Sequence, residues 1–433
     1  MVSEKKFGLA LSGGGYRAAG FHLGTLRKLH ELGLLDRVDV LSTISGGSIT
    51  GAALCLSKQS YAAFEQEMIT ALSTKSVIGY TLRSWEFIRT VLLALVSIGL
   101  SVTISFTRFA PFAVAPIIVL VYILIRYQFK LFPAGSVIER AYDKFFFNEK
   151  KLSELCSRPL IAIGSTNLQT ARHFTFSSNR MGDSVYAYQQ PPILFKAHEF
   201  PIARAVMASS CVPFAFTPVS IDKQFFADPA QAALIDPKLV DGGAYDNQGV
   251  HKLTEEHSEY NCSIVCVSDA GNKLPFAGLY NNTFTLLLRT VDVFMARIKN
   301  FQMVQNLYHN QQGKQIAYLS LGWDLDKCVS GFFNNLKSGT ISAQLAAAHG
   351  LLPEWVAKPD SYKAQIIALL EKNCNYQAVA SRNLDAARLK AIRSIGTNLT
   401  CLKRSLIDDM ITHSANLTEV QLRLYCPALF AIA

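Results

Sequence analysis

Three short groups of residues, widely spaced along the chain, combine residue types that serve acyl-transfer chemistry. The first is Ser45, which lies between a predicted strand end and a predicted helix start and precedes Gly46 and Gly47. A serine at such a tight turn is pushed into an exposed position, which is the arrangement of a nucleophile elbow. Glycines suit the turn because the strand and helix backbones approach closely there. Serine–glycine turns are common, so a simple strand–helix turn is the alternative interpretation.

The second group is Gly13–Gly15, followed by Tyr16 and Arg17 and also lying between a predicted strand and a predicted helix. Successive glycine amides point into one concavity and bind an anion. A Walker loop would need Gly-Lys-Ser/Thr at its end, and a dinucleotide fingerprint would need glycine in place of Ala18. The loop therefore favours an oxyanion hole beside the elbow serine, with a structural glycine turn as the alternative.

The third group supplies a base. Asp241 follows an apolar strand end and precedes Gly242 and Gly243, so backbone crowds it as a catalytic pocket requires. A carboxylate is a weak base in water, with a reference pKa of about 3.9, but partial desolvation raises that pKa. Asp269, in a similar Ser-Asp-Ala-Gly turn, is the second choice, and His251 is the nearest to a candidate among the nine histidines. An aspartate that only caps its own turn remains the alternative.

The elements that position these groups alternate between strand and helix. Residues 7–11, 38–44, 160–165, 173–177, 239–240 and 263–267 are predicted strands. Helices are predicted around residues 21–32, 48–56 and 202–210, and mainly helices after residue 285, at 286–297, 343–349, 362–371, 386–395 and 417–425. Strand, helix, strand and helix within the first 56 residues indicate a parallel, doubly wound sheet.

A long apolar segment interrupts this pattern. Between Arg89 and Arg126 the only charged residue is Arg108, and residues 90–107 and 109–125 are each near the lower length limit for a spanning helix. Arg83, Arg89, Arg126 and Lys130 flank the outer ends, so a membrane hairpin would keep those ends in the cytoplasm. A lipid-facing cap that does not span the membrane and a buried helix pair are the two alternatives.

Composition limits the classes of function. Hydrophobic residues make up 50% of the 433 residues and charged residues 17%, while the formal net charge is +10. A basic balance favours anionic partners, but no basic run interleaved with aromatic residues points to nucleic acid. Nine scattered cysteines fit free thiols in a reducing compartment better than a zinc site. The N-terminus lacks the pattern of a signal peptide, so we expect a catalytic portion in the cytoplasm.

Taken together, the motifs resemble those of the patatin-like phospholipase family. The matching residues are Gly13–Arg17, Ser45 with Gly46 and Gly47, and Asp241–Gly243, in the family's order along the chain. The small-residue block Ala208–Pro213 also resembles a family motif. Two positions depart from the family pattern, where Thr43 and Ala18 replace glycines. The resemblance covers roughly residues 7–80 and 155–275.

The resemblance implies a three-layer α/β/α fold and a Ser–Asp dyad without histidine, acting on acyl esters of lipids. By this resemblance Ser45 is the nucleophile, Asp241 the base and Gly13, Gly14 and Gly15 the oxyanion hole. The same resemblance gives Arg17, Gly47, Gly242 and Gly243 supporting positions and requires no metal or cofactor. The implied enzyme is a membrane-associated phospholipase A or lysophospholipase, with an acyltransferase or an inactive membrane scaffold as the alternatives. The sequence leaves the oligomeric state open.

These expectations give a domain plan. Residues 1–76 and 133–285 form the expected catalytic domain, and residues 77–132 form the hydrophobic helical hairpin, which is expected to be transmembrane. Residues 286–433 form a helical C-terminal region packed on the core. The expected partners are a phospholipid or another acyl lipid and the bilayer.

Overall fold

A mixed β-sheet forms the centre of the chain. The computed structural model describes residues 6–213, 216–272, 280–308 and 313–430. Within these residues the sheet has nine strands: β1 Phe7–Leu11, β2 Val40–Ile44, β3 Leu160–Asn167, β4 Arg172–Phe176, β5 Met181–Gly182, β6 Val219–Ser220, β7 Lys238–Asp241, β8 Ile264–Asp269 and β9 Gln315–Ser320. Strands β1 and β2 are buried throughout, as the continuous apolar runs of parallel strands predict.

The strand order is β5-β4-β3-β2-β1-β8-β9, with β7 and β6 added beside β3. The five strands β3, β2, β1, β8 and β9 run parallel, whereas β4, β5, β6 and β7 add antiparallel pairings. The predicted mainly parallel α/β fold is therefore confirmed. The carboxyl ends of parallel strands all lie at one edge of the sheet, and folds of this kind bind their ligands at that edge.

Helices surround the sheet. Their bounds are α1 Gly15–Glu31, α2 Gly46–Leu56, α3 Tyr61–Thr74, α4 Val77–Leu82, α5 Trp85–Ser105, α6 Ala115–Leu131, α7 Ala134–Tyr142, α8 Ser184–Ala187, α9 Ile202–Ser209, α10 Gly243–Asp246, α11 Val250–Thr254, α12 Thr283–Met303, α13 Lys327–Lys337, α14 Ala343–Ala348, α15 Pro353–Ala357, α16 Lys363–Asn373, α17 Tyr376–Ala380, α18 Ala386–Arg393 and α19 Arg404–Tyr425. Gly24 of α1 makes room for the backbone of α19 at Ile411, and the buried Lys28–Glu419 ion pair at 3.0 Å joins the same two helices.

The C-terminal region differs from its mainly helical prediction in one important respect. Strand β9 pairs in parallel with β8 over six residues, from Gln315 opposite Ile264 to Ser320 opposite Asp269. The sheet therefore extends past the predicted boundary at residue 285. Helix α19 is also longer than the predicted segment 417–425, because buried polar residues such as Asp409 and Asn416 interrupt its apolar periodicity.

The apolar insert forms two paired helices, α5 and α6, that project from the core. Within the described residues, two helical stretches, Trp85–Ser105 and Ala110–Phe147, which contains α6, are long and apolar enough to cross a membrane by length and composition, and 6% of the apolar window in each is buried. Leu95, Val96 and Ile125 are 59%, 65% and 72% exposed, so the alternative of a buried helix pair is wrong. Arg89 donates to the Leu131 carbonyl at 2.8 Å, which holds the outer ends of the two helices side by side.

Candidate functional site

The sheet itself brings Ser45 and Asp241 together. Strand β2 ends at Ile44, opposite Gly164 of β3. Strand β7 ends at Asp241, opposite the next residue, Ser165. Because β4 pairs with the other edge of β3, β2 and β7 lie along the same edge and meet end to end. The two strand ends thus place Ser45 and Asp241 beside each other, although they lie far apart in the chain.

Ser45 adopts a sharp turn between β2 and α2. Its backbone has φ 49° and ψ −117°, a conformation with positive φ that a residue with a side chain rarely adopts. Its amide donates to the Ser209 hydroxyl at 2.9 Å, and the Gly47 amide donates to the Ser12 carbonyl at 3.1 Å. A side chain on Gly46 would overlap the backbone of the glycine loop at Gly15. The elbow therefore packs directly on that loop.

Thr43, which replaces a glycine of the family pattern, is fully buried just before the elbow. Its hydroxyl accepts a hydrogen bond from Ser48 at 3.1 Å, and Ser48 also bonds Ser209 at 2.9 Å. Its methyl faces Gly51 of α2, where an added Cβ would lie 2.5 Å from Thr43 Cγ2. The glycine at position 51 thus leaves the space that the side chain at position 43 occupies.

Asp241 is a buried carboxylic acid at the end of β7. The Gly243 amide donates to its Oδ1 at 2.6 Å, and the Ser45 side chain lies close enough to the carboxyl to lower its pKa. Burial raises the pKa of Asp241 to about 6, and the interactions with Gly243 and Ser45 oppose that rise. A carboxylate with this pKa is mostly ionised at neutral pH and is a stronger base than an exposed aspartate.

The glycine loop divides its amides between structure and the site. Gly13, predicted as one of three oxyanion donors, donates its amide to the Asn247 carbonyl at 2.9 Å, so that donor is already used. The amides of Gly14 and Gly15 have no acceptor among the described residues. Gly14 and Gly15 have φ of 142° and 59°, and they lie at the N-terminus of the 17-residue helix α1. Two free amides at a helix N-terminus form an anion-binding geometry.

The Arg17 side chain contacts the C-terminal region. Its Nη1 donates to the Ile395 carbonyl at 2.8 Å, while the Tyr16 amide donates to the Asn398 carbonyl at 2.9 Å. Burial lowers the pKa of the Arg17 guanidinium, and Asp269 opposes that shift. These contacts tie the glycine loop to the C-terminal region, which agrees with a supporting position for Arg17.

The small-residue block at the end of α9 joins the two halves of the site. Ser209 receives the Ser45 amide through its hydroxyl, and its carbonyl accepts the Gly242 amide at 3.1 Å. The Cys211 carbonyl accepts the Asp241 amide at 2.8 Å. A side chain on Gly242 would overlap the backbone of β3 at the Gly164 carbonyl. The block therefore fixes the elbow and the aspartate turn to each other.

The two other candidate bases lie elsewhere. Asp269 is held by Lys299 Nζ at 2.5 Å and by the Tyr318 hydroxyl at 2.5 Å. Burial alone would raise the pKa of Asp269, but Lys299 and the hydrogen bonds lower it below the ordinary value. His251 packs against the ring of Tyr245 at 5.2 Å between centroids. Neither residue has a hydrogen bond to Ser45 within the described parts of the chain.

Two residues that contribute to the site, Asn247 and Met295, do not belong to any motif that the sequence shows. Asn247 accepts the Gly13 amide, and its side-chain oxygen lies against both Gly13 and Gly243. Met295 of α12 reaches over the aspartate turn, and its methyl would lie 2.9 Å from any Cβ added at Gly243. Helix α12 thus covers the site, and Lys299 one turn further along connects it to Asp269. The apolar residues of α12 predict a helix, but they do not show which part of the protein this helix covers.

The arrangement combines an elbow serine, a buried aspartate and a glycine loop on a mainly parallel sheet. The family model for patatin-like phospholipases matches residues 9–254, more than half of the chain. The chain therefore belongs to the patatin-like phospholipase family, and this membership supports lipid hydrolase activity.

Solved structures with a similar fold include a human GIVD cytosolic phospholipase A2, at 12% identity and a TM-score of 0.46, over 98% of this chain and 62% of that chain. Another is VipD from Legionella pneumophila, at 14% identity and a TM-score of 0.33, over 99% of this chain and 92% of that one. The chain thus spans 62% of the length of the human phospholipase. No curated protein sequence matches the chain.

Proposed function

We propose that the chain is a serine lipid acyl hydrolase of the phospholipase A or lysophospholipase type, with Ser45 and Asp241 as its catalytic dyad. One observation carries the proposal. A serine in a strained elbow lies beside a buried aspartate whose pKa is raised to about 6, and the serine side chain interacts with that carboxyl. A nucleophile and a base within hydrogen-bond reach of each other are the requirement for covalent acyl transfer.

In the proposed first step the Ser45 oxygen attacks the acyl carbonyl carbon while Asp241 takes the hydroxyl proton. The carbonyl oxygen gains negative charge, and the free amides of Gly14 and Gly15 stabilise that charge. Asp241 then returns its proton to the leaving alcohol, which departs as the ester bond breaks. The products of this step are an acyl-serine and a lysolipid or glycerol derivative.

In the second step Asp241 takes a proton from water, and the resulting hydroxide attacks the acyl-serine carbonyl. The bond to the Ser45 oxygen breaks, the fatty acid leaves, and the proton on Asp241 returns to the serine. The Gly243 amide at 2.6 Å holds the carboxyl orientation through both steps. Each proton that Asp241 accepts is returned within the same step, so one carboxyl serves as base and acid.

The paired apolar helices support a membrane substrate. The side chains of α5 and α6 present an exposed apolar surface to solvent, which a hydrocarbon environment would bury. We propose that this hairpin inserts into the bilayer and that the cationic residues at its outer ends keep the catalytic domain on the cytoplasmic side. A nucleophile held at a bilayer meets lipid esters at high local concentration.

Deletion of residues 90–125 tests the proposed anchor. We expect the deletion variant to leave the membrane fraction after a high-salt wash, whereas the full chain stays. A deletion variant that remains with membranes after the wash would assign the anchoring to another surface.

An activity-based probe tests the dyad. A fluorophosphonate should label the folded wild-type chain covalently at Ser45, and Ser45→Ala should not be labelled. Ser57→Ala, at the other end of the same helix, serves as the matched control and should be labelled like the wild type. Labelling that survives in Ser45→Ala would refute the assignment of the nucleophile.

Product analysis then separates hydrolysis from transfer. The hydrolase proposal predicts free fatty acid as the main product when glycerol or a lysolipid is added to the vesicles. Acylated glycerol or a re-acylated lysolipid as the main product would make the chain an acyltransferase that uses the same acyl-enzyme.

A further inference from the structure

A cavity separate from the serine site lies at the foot of the hairpin. It has a volume of about 830 Å³, and its walls come from the end of α3, from α4, from the start of α5 and from α7. Trp85, the first residue of α5, is 65% exposed at its rim. Tryptophan at the start of an apolar helix is typical of a side chain that lies at headgroup level.

The cavity carries a positive charge that its own residues do not balance. Its lining includes Lys75, Arg83, Arg140 and one carboxylate, Glu86. Glu86 is paired with Arg140 at 2.7 Å. The Lys75 ammonium donates to the neutral Phe145 carbonyl at 2.8 Å. The Arg83 side chain is exposed, and its guanidinium has no hydrogen bond or ion pair with any described residue. The positive charges of Lys75 and Arg83 are therefore not balanced by a carboxylate in the cavity wall.

Uncompensated cations that converge on one cavity bind phosphate groups, because charge-assisted hydrogen bonds to phosphate oxygens are strong. Here the cations sit directly beside the two helices that the proposed function places in the bilayer. The cytoplasmic leaflet presents anionic headgroups at this depth. The rings of Tyr80 and Phe145 add apolar surface to the walls of the cavity.

We propose that this cavity binds the phosphate of an anionic phospholipid headgroup, separately from the lipid that is hydrolysed. The proposal rests on the membrane insertion of the hairpin given under the proposed function. Such a site would fix the depth and orientation of the catalytic domain at the bilayer. The wall of the cavity also contacts the residue after the glycine loop, because the Tyr16 hydroxyl donates to the Lys75 carbonyl at 2.8 Å.

The cavity contains its own reporter. Cys401 lines the cavity and is the exposed cysteine of the nine, whereas the others are buried or partly buried. A headgroup in the cavity should shield this thiol from a maleimide in solution. The modification of Cys401 can be followed by mass spectrometry of the peptide that contains it.

The experiment uses the full chain with Ser45→Ala, so that the vesicle lipids are not consumed. The chain is incorporated into vesicles of phosphatidylcholine alone or with phosphatidic acid at about one lipid in five, and co-flotation with the vesicles is checked first. We expect phosphatidic acid to slow Cys401 modification at least about fivefold, since one cation near an anionic surface contributes roughly this factor. Arg83→Glu and the milder Arg83→Gln should remove most of this protection.

Lys130→Glu is the matched control, because it changes charge at the same end of the hairpin but outside the cavity. It should keep the protection. Equal rates with and without phosphatidic acid in a chain that floats would overturn the headgroup site, as would protection that persists in both Arg83 variants. If inorganic phosphate added to phosphatidylcholine vesicles protected Cys401 as well as phosphatidic acid does, the cavity would bind free phosphate, and the proposal of a lipid headgroup would be wrong. A chain that floats with neither vesicle would instead refute the membrane anchoring under the proposed function.

Discussion

Replacing Asp241 with asparagine should make the protein more stable while it abolishes hydrolysis. Asparagine keeps the shape of the side chain, its oxygen still accepts the Gly243 amide and its amide group faces Ser45. It removes the charge that burial penalises and with it the proposed catalytic base. The rise of the Asp241 pKa from 3.8 to about 6 corresponds to about 3 kcal/mol, at 1.36 kcal/mol per unit. This energy opposes folding of the ionised wild type.

The raised pKa of Asp241 fixes how the stability difference between the wild type and Asp241→Asn changes with pH. A carboxyl whose pKa is raised in the folded state binds its proton more tightly there than in the unfolded chain. The wild type therefore loses stability relative to Asp241→Asn as the pH rises from about 4 to 6, and the difference is constant above that range. At pH 5 about half of the difference should remain. At pH 8 the variant should melt about 3 °C higher, for a chain of 433 residues.

Differential scanning fluorimetry at pH 5 and pH 8 measures this difference, with fatty acid release as the parallel activity assay. Asp236→Asn, an exposed aspartate in the segment before β7, is the matched control and should not change the melting temperature. An Asp241→Asn variant that is less stable than the wild type at pH 8 would show that burial does not penalise this charge. A difference in melting temperature that stays the same between the two pH values would also contradict the proposed pKa shift.

The pH profile of activity and two pairs of contacts give further predictions. In kcat/KM measured against pH, activity should fall about tenfold per pH unit below about pH 6 as Asp241 is protonated; a profile flat down to pH 5 would contradict this. In urea denaturation, Gly51→Ala should cost about 1–3 kcal/mol, and adding Thr43→Ser should restore most of it by removing the methyl. Lys299→Met should cost about 3 kcal/mol by leaving Asp269 buried without its cation, and a double variant with Asp269→Asn should lose less.

Much of the core was predictable because its elements have local signals. Strand β1 begins and ends at the predicted residues, Phe7 and Leu11, since an apolar run ending in glycines marks both limits. Helix α2 begins at Gly46, two residues before its predicted start. The residue types of the candidate site were also predictable from the sequence, because a serine, a glycine loop and an aspartate each occupy a turn after an apolar run.

The remaining features depend on contacts between distant segments. Nothing near Asp241 in the sequence shows that β7 runs antiparallel to β3 and meets β2 end to end. The use of the Gly13 amide by Asn247 likewise depends on the turn after α10. Strand β9 lies among helical patterns, and its pairing with β8 is what makes it a strand. Local patterns therefore indicate the candidate residues, and non-local pairing decides their geometry.

Release of free fatty acid from mixed phospholipid vesicles, measured for four proteins side by side, decides whether the Ser45–Asp241 dyad hydrolyses lipid esters. The four are the wild type, Ser45→Ala, Asp241→Ala and the control Ser57→Ala. We predict release by the wild type and the control, and a loss of at least about a thousandfold in both dyad variants, as expected when a nucleophile or its base is removed. Equal release by the wild type and Ser45→Ala would show that Ser45 is not the nucleophile.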